Sequence, residues 1–507
     1  MATPGEKLAT SLEVLNQLEH KNVIRSSQIS RVHRERLVQN GYLMEVVKGW
    51  YVITRPSIND GSSTPWFASY WTFVTAYLND RFGEDYCLSS ESSLQVHTGS
   101  TIVPTQLIVI VKAKGTQQLK LPFETSLLIY SDPKNFPEYR STLNNLWIMD
   151  LPAALCRVAP SFFKQNPSTA ELALRMVRDS SDILRVLLES GSISAAARLA
   201  GAYRVLGFDR TAEQIIRSME ASGYPIKETD PFESPTSFLA AGKRILSPYV
   251  GRIEFLWGAM RDIVLENFPE PPGMPTDHQK YLQEIEEIYS NDAYNSLSIE
   301  GYQVTPALIE QVRSGTWNPD SREDDRHHRD ALAAKGYDLA FKAVKESISK
   351  ILAGSSPGNV VSNDHQFWYS QMFSPSVQAG ILKPSELAGY RNQPVYIKGS
   401  QHVPLPYSSV LDCMESLFSL LSEEPHPGVR AILGHFLFVF IHPYMDGNGR
   451  IGRFLMNTML ASGGYPWTVI RMEHRRSYMD SLEEASAKGN ILDFTQFICQ
   501  EMTAEGS

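Results

Sequence analysis

The stretch "AILGHFLFVFIHPYMDGNGRIGRFLMN" (431–457) limits the fold more than any other. Its first eleven residues are apolar nearly all round, the pattern of a helix buried inside a bundle. The run is shorter than the roughly 18–20 residues of a membrane span, and Pro443 keeps the helix from continuing. Gly447 and Gly449 then lead into a second helical pattern, "RIGRFLMNTML". Glycines so placed can turn successive backbone N–H groups inward as an anion nest. The free amides and dipole of the following helix favour a phosphate at the same spot.

The remaining residues of the loop suit that reading. Arg450 and Arg453 are three apart and project to one side of the first turn, and their planar forks match phosphate oxygens. Asp446 could hold a Mg²⁺ that bridges phosphates, and Asn448 can add an amide donor. His442, a few ångströms away, could take a proton from an attacking hydroxyl. Together these groups suit Mg²⁺-assisted transfer from a nucleotide to a hydroxyl. Gly447, Gly449 and Gly452 also fit G-x-G-x-x-G, with Glu473 about 20 residues on. A dinucleotide fold needs a strand running straight into the first glycine. Here "HPYMD" intervenes after a helical run, and no strand–helix–strand unit surrounds it.

The loop resembles the motif of the Fic family, H-P-F-x-[DE]-G-N-G-R-x-x-R, departing from it at Tyr444, where phenylalanine is usual. That aromatic packs inward in the family, so the tyrosine hydroxyl needs a partner. The resemblance extends over roughly residues 280–500, with "LAGYRNQPVYIKG" like the family's flap and "YMDSLEEASAKGNILDF" like its closing helices. It implies transfer of AMP from ATP to a Ser, Thr or Tyr hydroxyl of a protein, or of the chain itself, with pyrophosphate leaving. It makes His442 the base, Asp446 the Mg²⁺ ligand, and Gly447, Asn448, Gly449, Arg450 and Arg453 the nucleotide-binding set. The flap residues Val395, Tyr396, Ile397, Lys398 and Gly399 would dock the target chain as an added strand. Tyr478 is a candidate near the base but reads more readily as core.

Upstream, "SLSIEG" fits the family's inhibitory pattern [ST]-x-x-x-E-[GN] through Ser296, Glu300 and Gly301. The resemblance implies that Glu300 pairs with Arg453. An arginine held by a carboxylate cannot also clamp the nucleotide's terminal phosphates, so the resting chain is expected to be autoinhibited. The same glutamate could instead position water to remove AMP, and the residues leave that open.

The N-terminal half is of a different kind. "LATSLEVLNQLEHKN" has helical spacing, "SSQISRVHRERLVQNG" follows with a second set, and "YLMEVVKGWYVI" alternates as two strands about Lys48-Gly49. Helices followed by a small hairpin suggest a winged helix-turn-helix over 1–56. Eight Lys/Arg against five Asp/Glu there give a local +3, beside −9 for the whole chain. Arg31, Arg34, Arg36 and Lys48 are thus candidate DNA contacts, and a protein-binding or dimerising domain is the alternative. "RPSINDGSSTP" (55–65) has linker composition, and 66–225 reads as α+β. With "KGWYVI", the segment "AAARLAGAYRVLGFDRTAEQIIRSMEASGYPIKETDPF" resembles the winged-helix antitoxins of abortive-infection systems. This likeness supports a rival reading, a DNA-binding regulator whose Fic core senses nucleotide.

The expected fold is therefore α+β and multidomain: a winged helix at 1–56, an α+β antitoxin-like regulatory domain at 66–225 and a helical connector and linker at 226–277. A mostly helical Fic core with a short β-hairpin flap follows at 278–505. "SREDDRHHRD" (321–330) reads as a solvated loop or helix start rather than a metal site. Cys87, Cys156, Cys413 and Cys499 lie far apart without a C-x-x-C pair, which suits reduced thiols. With no signal-peptide pattern at the start, the expectation is a cytoplasmic protein. No membrane partner is expected, and a homodimer is a candidate state.

Overall fold

A computed structural model describes residues 3–18, 22–54, 63–232, 239–315 and 325–504; of residues 325–328 and 504 it describes the backbone alone. The chain divides into two compact units, 1–251 with 396–403, and 252–395 with 404–507. The stretch read as a linker at 55–65 and the His327–His328 side chains lie mostly or wholly outside the described residues.

The first unit begins with helix Pro4–Gln17, opened by Pro4 and a capping box in which the Thr3 hydroxyl and Glu6 carboxylate exchange hydrogen bonds with each other's backbone N–H. Strand Val23–Arg25, helix Arg31–Gln39 and the hairpin Leu43–Val47/Trp50–Ile53 follow. The three strands form one antiparallel sheet with Trp50–Ile53 in the middle. Leu15, Ile24, Leu37 and Leu43 close a small core beneath it. A four-stranded sheet comes next, in the order Tyr86–Leu88, Gln106–Val111, Ser126–Ser131, Gln117–Lys120. Its central pair is parallel and its outer pairs antiparallel. Leu107, Val109 and Val111 alternate inward against helix Thr64–Phe82.

Helices then take over. The run "AELALRMVRDSSDILRVLLES" forms two of them, Pro167–Met176 and Ser180–Ser190, because Asp179 caps the second by accepting from the Ser181 N–H at 2.9 Å. Helices Ile193–Val205 and Asp209–Ala221 complete this core.

The second unit is helical. Helices His278–Ile299, Pro306–Arg313, Asp325–Leu352, Val410–Glu423 and Pro427–Ile441 make up much of it, in line with the mostly helical core expected at 278–505. Pro427–Ile441 buries 14 of its 15 residues, so it is a central helix of the bundle. A further long helix, Pro357–Gln378, does not stand out in the sequence, where Asn and Ser interrupt it and Pro375 lies inside it. Val361, Trp368, Tyr369 and Met372 nevertheless form its buried face.

The hairpin expected at the flap is not formed. Residues 393–406 are extended and irregular, with a turn at Lys398–Gly399 and a single bridge, His402 to Ile102, in the first unit. Pro394, Pro404 and Pro406 each remove an N–H that a hairpin ladder would use. Residues 396–403 instead pack with the first unit. Gly399 N–H donates to the Thr64 hydroxyl at 2.9 Å and Val403 N–H to the Thr101 carbonyl at 2.8 Å.

Candidate active site

The site grows from the end of the buried helix. His442 closes Pro427–Ile441 in the left-handed region, at φ 55° and ψ 61°. A residue with a Cβ rarely adopts that conformation, and surrounding contacts must hold it there. The main holder is Arg391. It is buried, donates from Nε to the His442 carbonyl at 2.7 Å and from Nη2 to the Leu405 carbonyl at 2.6 Å, and its backbone N–H reaches the Pro443 carbonyl at 2.8 Å. Burial without an acidic partner pushes the Arg391 guanidinium down to about 10.

The His442 ring is oriented from within its own helix. Nδ1 lies 3.1 Å from the Val439 carbonyl. A carbonyl only accepts, so in the neutral ring Nδ1 carries the proton and Nε2 keeps its lone pair. Burial pushes the ring down to about 4, so it is neutral near pH 7.

Helix Asn448–Ala461 starts at Gly447, whose φ of +83° is the left-handed turn expected of the first motif glycine. A Cβ there would also meet Phe373 of the Pro357–Gln378 helix at 2.8 Å. Asn448 does something other than expected. Its side-chain carbonyl accepts from the Tyr444 N–H and its amide donates to the Tyr444 carbonyl, both at 2.8 Å. This buried clamp braces the loop, so Asn448 offers a ligand its backbone amide rather than its side chain.

Both arginines lie where the spacing puts them. Arg450 is 1% exposed and sits over the rings of Tyr302 and Phe373, at 5.2 and 5.1 Å. Its Nη2 is 3.4 Å from Asp446 Oδ1. Asp446 also accepts from the Gly447 N–H at 2.6 Å, through the same oxygen. That carboxylate is 63% exposed, and its Oδ2 takes part in neither contact. Among the described residues no three His, Cys, Asp or Glu side chains converge as a metal cage. The Asp446 Oδ2 beside a helix N-terminus is nonetheless a single carboxylate ligand of the kind a phosphate-bridging Mg²⁺ takes.

Ser296 and Glu300 meet Arg453 directly. Its Nη2 donates to Glu300 Oε1 at 2.8 Å and to the Ser296 carbonyl at 3.1 Å, and its Nε donates to the Ser296 hydroxyl at 2.9 Å. Nη1 is buried without a partner. Burial opposes charge on both groups, yet Arg453 and Arg450 hold the Glu300 carboxyl below its ordinary value, and Glu300 keeps Arg453 protonated. The carboxylate also lies across the helix start: a Cβ on Gly449 would come within 2.4 Å of Glu300 Oε1. Glycine at 449 is what lets an acid come that close. Gly301 follows at φ +87° and turns the chain away.

Tyr444 points inward and stacks on Tyr369, with centroids 3.8 Å apart and planes 4° apart. Its hydroxyl is buried without a partner. Tyr478 is core, bonded to His435 at 2.8 Å. Of the flap residues, Val395, Tyr396 and Ile397 make no backbone N–H hydrogen bond among the described residues. Lys398 is exposed.

Two of the candidate DNA contacts are used within their own domain. Arg34 donates to the Ser26 carbonyl at 3.2 Å and lies over Tyr51, while Arg36 donates to the Lys7 carbonyl and Ser11 hydroxyl, each at 2.8 Å. Arg31 is exposed and pairs with Glu35 at 2.7 Å, and Lys48 is exposed. No described helix is long and apolar enough to cross a membrane.

Residues 365–460 match the Fic/DOC family. Over 225 residues, 43% of this chain, it is 30% identical to protein adenylyltransferase Fic of Aedes aegypti, covering 42% of that protein. The corresponding protein of Culex quinquefasciatus is 31% identical over 226 residues, covering 43% and 41%. Among solved structures, a segment of Fic-1 from C. elegans is 18% identical at a TM-score of 0.38, covering 67% of this chain and 90% of that one. The chain spans less than half the length of the curated relatives it matches.

Proposed function

We propose that this chain is a protein adenylyltransferase that moves AMP from ATP to a Ser, Thr or Tyr hydroxyl, and that Glu300 restrains it. The observation that carries the reading is His442, its Nδ1 on the Val439 carbonyl, in one loop with a helix N-terminus that carries the buried Arg450 and Arg453. The acceptor oxygen bonds to the α-phosphorus and its proton passes to His442 Nε2. The bond from that phosphorus to the α,β-bridging oxygen breaks, and pyrophosphate leaves with the electron pair. Amides at the start of Asn448–Ala461 and the two guanidiniums hold the phosphates in line. Asp446 would ligate a Mg²⁺, which supplies charge neutralisation at the phosphates. The target would add as a strand along Val395–Ile397, whose backbone N–H groups make no hydrogen bond among the described residues, as that mode needs.

Glu300 occupies the arginine meant for the terminal phosphates, so ATP would bind with its α-phosphorus displaced from the acceptor. We read residues 1–56 as a winged helix and the sheet domain after it as regulatory. The engagement of Arg34 and Arg36 within that domain weakens a DNA role for them. The test is label transfer from α-³²P-ATP with Mg²⁺ to proteins of a lysate. Label is expected to be weak with the intact chain, strong with Glu300→Gly, and absent with Glu300→Gly/His442→Ala. Absence of label in all three sinks the reading.

A further inference from the structure

The first unit holds a cavity of about 600 Å³ that the proposed transfer reaction does not use. That is ample for a nucleotide-sized molecule. It opens on the start of helix Ile193–Val205, capped by Ser192, whose first amides have no partner within the helix. Ser194, exposed at the second helical position, and Arg198, one turn on, both line it.

Arg198 is the telling residue. It is 8% exposed, yet among the described residues its guanidinium has no acidic partner. Nη2 donates to the Val158 carbonyl at 3.0 Å, Nε has no partner, and the group lies 5.5 Å from the centre of the Phe163 ring. Two other buried arginines, Arg175 and Arg391, are better satisfied. Arg175 has Glu171 and three backbone carbonyls, and Arg391 has four carbonyls. A charge removed from water and left so lightly bonded is costly unless something else completes it. Arg157 adds a second, exposed cation to the wall.

The cavity also holds two acids, Glu138 and Glu189, and the Tyr139 hydroxyl donates to Glu189. A wall with both signs of charge does not suit a polyanion. It suits a ligand with one anionic group and a body rich in hydroxyl donors. We propose that this cavity binds a small phosphate ester, its phosphate on the Ile193–Val205 helix start and Arg198, its hydroxyls toward Glu138 and Glu189. The N-terminal half of the chain would then be a ligand-responsive module.

The test is equilibrium dialysis of the full chain with inorganic phosphate and with ribose 5-phosphate, in an Arg450→Ala/Arg453→Ala background that disables the other phosphate site. Saturable binding is expected, tighter for ribose 5-phosphate, and weakened about tenfold or more by Arg198→Gln. Ser194→Glu is the second variant. It lies on the surface, favours its own helix, and puts a carboxylate where the phosphate would sit, so it should block binding while the chain stays folded. No saturable binding of either probe, or binding that Ser194→Glu leaves unchanged, overturns the site. Equal binding of the two probes removes the ester from the proposal.

Discussion

Two helix starts in this chain face arginines, and they are completed differently. At Asn448–Ala461 the chain supplies its own anion: Glu300 lies against Gly449 and holds Arg453 at 2.8 Å. At Ile193–Val205 no acid among the described residues pairs with Arg198, and a cavity lies over the helix start instead. The physics of the two ends is the same, unpaired amides and a positive end of a dipole beside a guanidinium. The difference is the tenant. A site with a built-in tenant is regulated by removing it, whereas an open site responds to whatever arrives. The comparison breaks if the first site does no chemistry, or if adding and removing an acid at the two ends has the same effect.

The largest effect expected tests the chemistry. In a Glu300→Gly chain, His442→Ala should lower kcat for label transfer by about 10²–10⁴, the usual contribution of a positioned base. The same chain should lose activity as pH falls through about 4, where His442 Nε2 takes up a proton, and stay level from about 5.5 to 7.5. A midpoint near the ordinary histidine value of about 6.5 would mean that the ring is solvated and not held as described.

Next comes removal of the tenant. A charged hydrogen bond of this kind is worth roughly 1.5–3 kcal/mol, so Glu300→Gly should raise label transfer about ten- to a hundredfold. It also leaves Arg453 buried without its acid. The Glu300 side chain is 28% exposed, so the cost should fall below that of a fully buried pair, about 1–3 kcal/mol, seen as a lower urea midpoint. At the open end the sign reverses. Ser194→Glu should stabilise its helix by about 0.3–1 kcal/mol, since it adds an anion where the dipole favours one. Two shifts of the same sign would show that the two helix starts are not physically alike.

What the sequence disclosed divides along the same lines. The candidate loop was legible because its residues are contiguous: His442, Asp446, the glycines and both arginines fall within twelve residues. Glu300 lies far away in sequence and was legible only through a short resembling pattern. Arg391 was not, although it fixes the backbone of His442, because one arginine in "GYRNQP" carries no spacing signal. Nor was the role of Asn448, since an amide that clamps Tyr444 and one that binds phosphate look alike in sequence. The Pro357–Gln378 helix was hidden by its Asn, Ser and Pro content, yet its buried positions 361, 368, 369 and 372 follow helical spacing. The Ile193–Val205 site stayed invisible because its wall comes from several helices, brought together only by folding. The hairpin failed for a local reason: a turn forms at Lys398–Gly399, but the flanking prolines deny it a ladder.

The smallest effect concerns the one motif position that departs from the resembling pattern. Tyr444 keeps the inward stack on Tyr369 but brings a hydroxyl that finds no partner. A buried hydroxyl without a hydrogen bond costs more than the apolar atom it replaces. Tyr444→Phe removes that oxygen and keeps the ring, so it should be neutral or stabilising by up to about 1 kcal/mol in a urea titration. It should leave the His442 pH midpoint in place, because the Asn448 clamp bonds the Tyr444 backbone and not its side chain. A loss of more than about 1 kcal/mol would instead place an ordered water on that hydroxyl.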